Sequence, residues 1–170
     1  LGNVYVTGFS RPVTNPYPHD FYDFATVKYD TNGNQLWVAR YDNKDGNQII
    51  ALTIDTSGNI YVSGRSYNDY ITIKYNNNGN QIWVAKYDNG AGYRVVNTVD
   101  VLGNVYVTGG NSIIKYDYNG NQLWKDRYDG NAVYIVIDSL RNIYVTGHSY
   151  SIASGDDYLT VKYTTNNNFW

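Results

Sequence analysis

GNIYVSG at Gly58–Gly64, followed by TIKYNNNGNQIWVAKYD at Thr72–Asp88, decides the fold of this chain, because the same pair of phrases is written four times in 170 residues. The first phrase returns as GNVYVTG at Gly2–Gly8 and Gly103–Gly109, and as RNIYVTG at Arg141–Gly147. The second returns as TVKYDTNGNQLWVARYD at Thr26–Asp42 and IIKYDYNGNQLWKDRYD at Ile113–Asp129, with a shortened copy, TVKYTTNNNFW, at Thr160–Trp170. Short β-like segments returning every ~40 to 50 residues predict a propeller or a related array.

Within each unit, apolar and polar residues alternate with a period of two, the mark of half-buried strands. Four strands per unit are expected, counted outward from the ring axis. The innermost run is Ile50–Asp55, Val95–Asp100 and Val133–Asp138; VYVTG is the second strand, TVKYD the third and QLWVARY the outermost. Asn32-Gly33, Asn78-Gly79 and Asn119-Gly120 fall between the third and outermost strands, where a tight hairpin needs φ > 0. Asp55–Asn59, Asp100–Asn104 and Asp138–Asn142 make short turns between the first and second strands. Arg141 stands where the other units have glycine, so Asn142 is expected to take the left-handed position there.

Aromatic residues recur in fixed slots: Trp37, Trp83, Trp124 and Trp170 on the outermost strand, and Tyr29, Tyr75, Tyr116 and Tyr163 on the third. Tyr5, Tyr61, Tyr106 and Tyr144 do the same on the second. A ring returning once per unit is expected to pack one sheet face against the next. A ring of sugar-stacking subsites is the sharper alternative.

These phrases resemble the bacterial SBBP β-propeller repeat, most specifically at Asp69–Tyr75 and Thr26–Trp37, and the resemblance covers nearly the whole chain. It implies a β-propeller borne on secreted or cell-surface proteins of bacteria or archaea. It carries no catalytic residue to this sequence.

The expected architecture is therefore all-β: one small propeller domain over 1–170, with four blades of up to four antiparallel strands closed into a ring. The units run approximately 1–42, 43–88, 89–129 and 130–170. Fifteen strands are readable where four complete blades need sixteen, because the first blade lacks its innermost strand. Three explanations compete. The chain is part of a longer array, or the first blade is three-stranded in a closed ring, or a neighbouring subunit donates the strand. An open sheet edge is an aggregation hazard that closure removes.

Twenty tyrosines among only 16% charged residues, with a net charge of −2, argue against nucleic acid as a partner. The absence of Cys excludes disulfides, a thiol nucleophile and thiolate metal sites, and no apolar run is long enough to span a bilayer. GxSxG, phosphate-loop and HExxH motifs are missing, and the recurring Asp55, Asp100 and Asp138 are turn-formers, so no catalytic residue is assigned and no enzyme is expected.

The loops joining the second and third strands vary. Ser10–Asp23 holds all three prolines with Tyr17, His19, Phe21 and Tyr22, and Ser149–Asp157 holds Tyr150. These aromatics form a candidate interface or ligand loop, or else fold back over the ring. His19 and His148 are the only histidines, and with Asp20, Asp156 or Asp157 they make a metal site chemically conceivable, but no repeated ligand set supports it. Asp30–Asn34 and Asp117–Asn121 look like oxygen-rich calcium loops without the distal bidentate Glu. Neither metal nor cofactor is expected.

The function expected is a non-catalytic extracellular or cell-surface structural propeller that associates with itself into an oligomer or filament. A glycan- or surface-protein-binding propeller using the loop face is the alternative, and a polysaccharide hydrolase or lyase a more distant one.

Overall fold

A computed structural model of the chain describes residues 2–10, 22–42, 47–88, 94–153 and 155–164. These residues form β-strands and turns without any helix. The first sheet holds β1 (Val4–Ser10), β2 (Asp23–Tyr29) and β3 (Gln35–Tyr41), in that order. The second holds β4 (Asn47–Ile54), β5 (Ile60–Ser66), β6 (Asp69–Tyr75) and β7 (Gln81–Tyr87). The third joins β8 (Val95–Val99), β9 (Val105–Tyr116), β10 (Gln122–Ile137), β11 (Ile143–Ser151) and β12 (Gly155–Tyr163). Every pairing is antiparallel, and blade one has three strands among the described residues, its innermost strand missing as the phrase count predicts.

The third sheet carries two repeat units. Thr108 Oγ1 donates to the Ser112 carbonyl at 2.8 Å, whereas four residues of extended chain span about 13 Å. β9 therefore doubles back around Gly110 (φ 51°) and supplies both the second and third strands of blade three. β10 serves blade three through Gln122–Arg127, paired with β9, and blade four through Asn131–Ile137, paired with β11. The Ala132–Gly110 pairing fuses the two blades. The outermost strand expected for blade four lies outside the described residues.

Three apolar cores lie between successive blades. Phe24 and Ala39 of blade one meet Ile60, Val62, Ile71 and Ile73 of blade two. Tyr61, Tyr70 and Ala85 of blade two meet Val95, Val105, Val107 and Ile114 of blade three. Tyr106 and Ile113 of blade three meet Ile135, Ile143 and Val145 of blade four. A strand in an inner blade is thus covered on both faces: Ile60, Tyr61 and Val62 are all fully buried. Each such side chain contributes roughly 1.5–3 kcal/mol by leaving water.

Four blades in a closed ring need four interfaces, and the described residues make three. None of the substantial strand contacts joins blade four to blade one. The expected closed ring is thus corrected: among the described residues the sheets form an open arc. The faces that a fourth joint would bury stay exposed, Val4 and Val6 on blade one and Tyr158 on blade four.

The turns follow from the Asp or Asn that opens each of them. In each, the N–H of the first residue, an aspartate or in one case Asn76, donates to the asparagine four residues on and its carbonyl accepts from the residue before that asparagine, as in Asp55 N to Asn59 O and Gly58 N to Asp55 O, both 3.0 Å. The left-handed position is Gly33, Gly79 and Gly120 in one set and Gly58 and Gly103 in the other. This is the three-residue loop closed by a left-handed residue, not the two-residue Asn-Gly hairpin. In blade four Arg141 itself, at φ 66°, takes that position, where Asn142 was expected to. Asn142 is held by its own bonds: its N–H reaches Asp138 Oδ1 and its amide reaches Asp138 Oδ2, both at 2.8 Å.

Candidate functional site: the faces that join one blade to the next

Lys28 and Trp37 are cross-strand partners on β2 and β3, and Lys74 and Trp83 hold the same relation on β6 and β7. The pleat places each pair side by side on one face, aimed at the next blade. There both members take the same acceptor. Lys28 Nζ and Trp37 Nε1 each donate to the Asn77 carbonyl at 3.0 Å. Lys74 Nζ and Trp83 Nε1 each donate to the Tyr118 carbonyl, again at 3.0 Å. A carbonyl has two lone pairs, so one main-chain oxygen satisfies both donors.

Tyrosines complete the joint. Tyr5 donates to Asn77 Oδ1 at 3.0 Å and Tyr61 to the Gly103 carbonyl at 3.2 Å. Each lysine ammonium lies 5.3 Å from its own blade's tyrosine ring, Lys28 over Tyr5 and Lys74 over Tyr61, and Lys74 also lies 3.0 Å from the Tyr118 ring centroid. Carbonyl and ring together replace the water that a buried ammonium gives up. Burial holds the Lys74 amine below the usual lysine range, against the pull of the Asp55 and Asp117 carboxylates. The indole then lies on the next blade's turn: a Cβ on Gly79 would stand 2.7 Å from the Trp37 ring, and one on Gly120 the same distance from Trp83.

Each end of the arc presents half of this joint. On blade one, Val4 and Val6 are 53% and 52% exposed, whereas their counterparts Ile60, Val62, Val105 and Val107 are fully buried. Tyr29 is half-buried where Tyr75, Tyr116 and Tyr163 are buried. A Cβ on Gly33 would meet nothing within 4 Å. On blade four, Tyr158 is 98% exposed while its counterpart Tyr70 is 1% exposed. Thr146, Thr160 and Lys162 are exposed where Ser63, Thr72 and Lys74 are buried. Lys162 nevertheless keeps its place over the Tyr144 ring, 5.4 Å from the centroid.

Trp37, Trp83 and Trp124 all lie in the blade joints, with Tyr5, Tyr61 and Tyr106 at 6.1, 6.0 and 6.2 Å respectively. Of the candidate loop aromatics, Tyr22 is 40% exposed and edge-on to Phe9 at 5.0 Å, and Tyr150 is 73% exposed. Tyr17, His19, Phe21 and Trp170 lie outside the described residues.

Asp30 Oδ1 accepts from the N–H groups of Asn32 and Asn34, and its Oδ2 from the Asn34 amide. Both oxygens are thus committed to N–H donors, and the Asn34 side-chain bond above all lowers the Asp30 pKa. Among the described residues no three metal-ligating side chains gather, and no helix is long and apolar enough to cross a membrane. A cleft of about 760 Å3 follows the inner strands between β4, β8 and β10, and its lining includes Arg94, Asn97 and Tyr134 but no carboxylate.

Lys28, Lys74, Lys115 and Lys162 share one strand slot in the sequence, but the joint they serve is not apparent from it. Its signal is a charged residue on the inward parity of its strand, in phase with Phe24 and Thr26, paired across the hairpin with tryptophan.

No family model and no curated protein matches the chain. Solved structures do. BamB from Moraxella catarrhalis is 14% identical, with a TM-score of 0.53 over 86% of this chain and 41% of that one. A gluconolactonase from Xanthomonas campestris is 17% identical, with a TM-score of 0.52 over 86% of this chain and 50% of that one. A DUF4623 family protein from Bacteroides eggerthii is 16% identical, with a TM-score of 0.57 over 98% of this chain and 41% of that one. These likenesses show the β-propeller fold, and the chain spans half or less of each protein's length.

Proposed function

We propose that the chain is a non-catalytic structural and interaction propeller of the extracellular space or cell surface, and that it associates with itself. One observation carries this: the seam between blades is made by groups that the repeat itself supplies, lysine and tryptophan donating to a main-chain carbonyl of the next unit, chemistry that suits contact between copies as well as within one. The resemblance to the SBBP repeat supports the location, and the cleft without a carboxylate supports a binding or scaffolding role over hydrolysis. Light-scattering mass across a hundredfold range of concentration, with electron microscopy of native material, tests it. The expected result is a concentration-dependent assembly; a constant 19.3 kDa particle refutes it.

A second function has its own support. Phe9, Tyr22, Tyr67 and Tyr150 are 63%, 40%, 74% and 73% exposed, and all four stand at the connections between second and third strands. Exposed rings on one rim suit contact with a glycan or a surface protein. Glycan-array binding lost in a Tyr67→Ala/Tyr150→Ala variant supports this role, and binding unchanged by the variant excludes it.

A further inference from the structure

We infer that the cleft between the inner strands β4, β8 and β10 binds an acidic sugar, a uronic acid residue whose carboxylate pairs with Arg94 and whose pyranose face lies against Tyr134. The site is separate from the seams between blades and from the exposed rings of the rim, and it lies where the repeat is broken.

The ladders set the inner strands in register. Ala51, Val96 and Tyr134 share one slot, opposite Ser63, Thr108 and Thr146. Leu52, Asn97 and Ile135 share the next, opposite Val62, Val107 and Val145. Blade four thus places a phenol ring, 62% exposed, where blades two and three have alanine and valine. Blade three places an amide where Leu52 and Ile135 pack in apolar cores. Both departures fall on the walls of one cleft, to which Arg94 also belongs. In a chain that otherwise repeats its phrases, departures gathered in one concavity mark a site rather than the fold. Inner strands of a propeller line its axial channel. Any further blade would face this cleft across the axis and leave its three walls in place.

Two of these groups lack the partner that a ligand would bring. Asn97 Nδ2 donates to the Tyr61 carbonyl at 3.2 Å and to Ser63 Oγ at 2.9 Å, but its buried Oδ1 has no hydrogen-bond partner among the described residues. Such an acceptor calls for a donor from outside the chain, and a sugar hydroxyl supplies one directly or through a water. Arg94 is exposed, no carboxylate among the described residues pairs with it, and the cleft wall holds no Asp or Glu. A guanidinium takes a planar carboxylate through two parallel bonds. The Tyr134 ring and the aliphatic side chains beside it suit the C–H face of a pyranose. A neutral sugar leaves Arg94 unpaired, and a simple anion leaves Asn97 and Tyr134 unused. The volume, about 760 Å3, lies within the ~300–1,000 Å3 of small-ligand sites.

The test is titration of the whole chain with D-galacturonate and, separately, with D-galactose, followed by backbone amide NMR shifts. Galacturonate is expected to bind saturably, shifting amides of β8 and β10 most. Galactose is expected to bind at least about tenfold more weakly, for want of the charge-assisted pair. Arg94→Gln is expected to abolish that preference with the β-sheet circular dichroism unchanged. Asn97→Leu restores the residue that blade two carries in that slot, so it keeps the fold, and it is expected to weaken galacturonate binding severalfold. Tyr67→Ala/Tyr150→Ala is expected to bind galacturonate as the wild type does, which separates this site from the rim contact proposed above. Equal binding of the two sugars, or a preference that survives Arg94→Gln, overturns the pairing. Galacturonate binding lost with the rim tyrosines overturns the cleft as its site. A chain that binds neither sugar overturns the inference outright and leaves self-association standing.

Discussion

Trp37 of blade one lies on the backbone of Gly79 in blade two, close enough that a Cβ on that glycine would stand 2.7 Å from the ring. Gly33 occupies the same place in its own turn at nearly the same φ, 84° against 83°, yet has nothing above it. The two positions separate backbone strain from joint packing.

Gly79→Ala is expected to cost about 2–4 kcal/mol, because a left-handed alanine is strained and its methyl collides with the indole. Gly33→Ala meets only the backbone term, roughly 1 kcal/mol. Urea unfolding of both variants checks this, and equal losses would mean that the indole does not hold its place.

Lys74 and Trp83 share one acceptor, so their removal should not add. Lys74→Met and Trp83→Phe each leave the Tyr118 carbonyl with one donor, and each should cost about 1–2 kcal/mol. The double variant leaves the carbonyl with neither and should exceed the sum by on the order of 1 kcal/mol. Simple additivity in the double-mutant cycle would dissolve the pairing.

Six tyrosines make the fold sensitive to alkali. Burial pushes Tyr75 and Tyr116 up to about 12 and raises Tyr61, Tyr70, Tyr106 and Tyr163 further. An unfolded tyrosine ionises near 10. Above that pH the folded state holds more protons than the unfolded one, so stability present below pH ~10 is lost as pH rises, by on the order of several kcal/mol per pH unit. Lys74 and Lys115 act in the opposite sense just below: burial lowers both, so they favour folding as pH climbs toward the unfolded lysine value of ~10.4. Phenolate absorbance should therefore rise together with loss of β-sheet signal; tyrosines titrating near 10 in an intact fold would contradict the burial.

Arg141 is held at φ 66° by a turn whose asparagine and aspartate leave it no alternative. Arg141→Gly relieves about 1 kcal/mol of left-handed strain, less the extra freedom of glycine in the unfolded chain, and should raise Tm. A fall in Tm would point to a role for the guanidinium.

Chelation should leave Tm unchanged, since the acidic turns spend their carboxylate oxygens on N–H donors such as Asn34 and Asn121. A drop in Tm on adding EDTA would restore a calcium loop to consideration.

The strands, the turns and the three-stranded first blade are legible in the sequence because they depend on local alternation and on Asp, Asn and Gly at fixed offsets. The tryptophan slot is legible for the same reason: Trp37, Trp83 and Trp124 return in register. Closure is not, because it depends on the angle at each joint, which no single unit encodes. The fusion of blades three and four follows from the short Gly109–Ser112 connection, whose pairing with Ala132 is non-local. Lys28 and Lys74 hide for another reason. Lysine is almost always a surface residue, and only its parity on the strand betrays burial.

The grip of lysine and tryptophan falls on a main-chain oxygen, so it does not demand one side chain at that turn: Asn77 and Tyr118 both serve, the first also accepting from Tyr5 and the second lying against Lys74. A coupling of this kind does not read its partner's identity. Units joined in this way can differ at the turn without redesigning the seam, as blades two and three do. Selectivity over which ends meet must then come from tethering within one chain and from the variable loops at the rim.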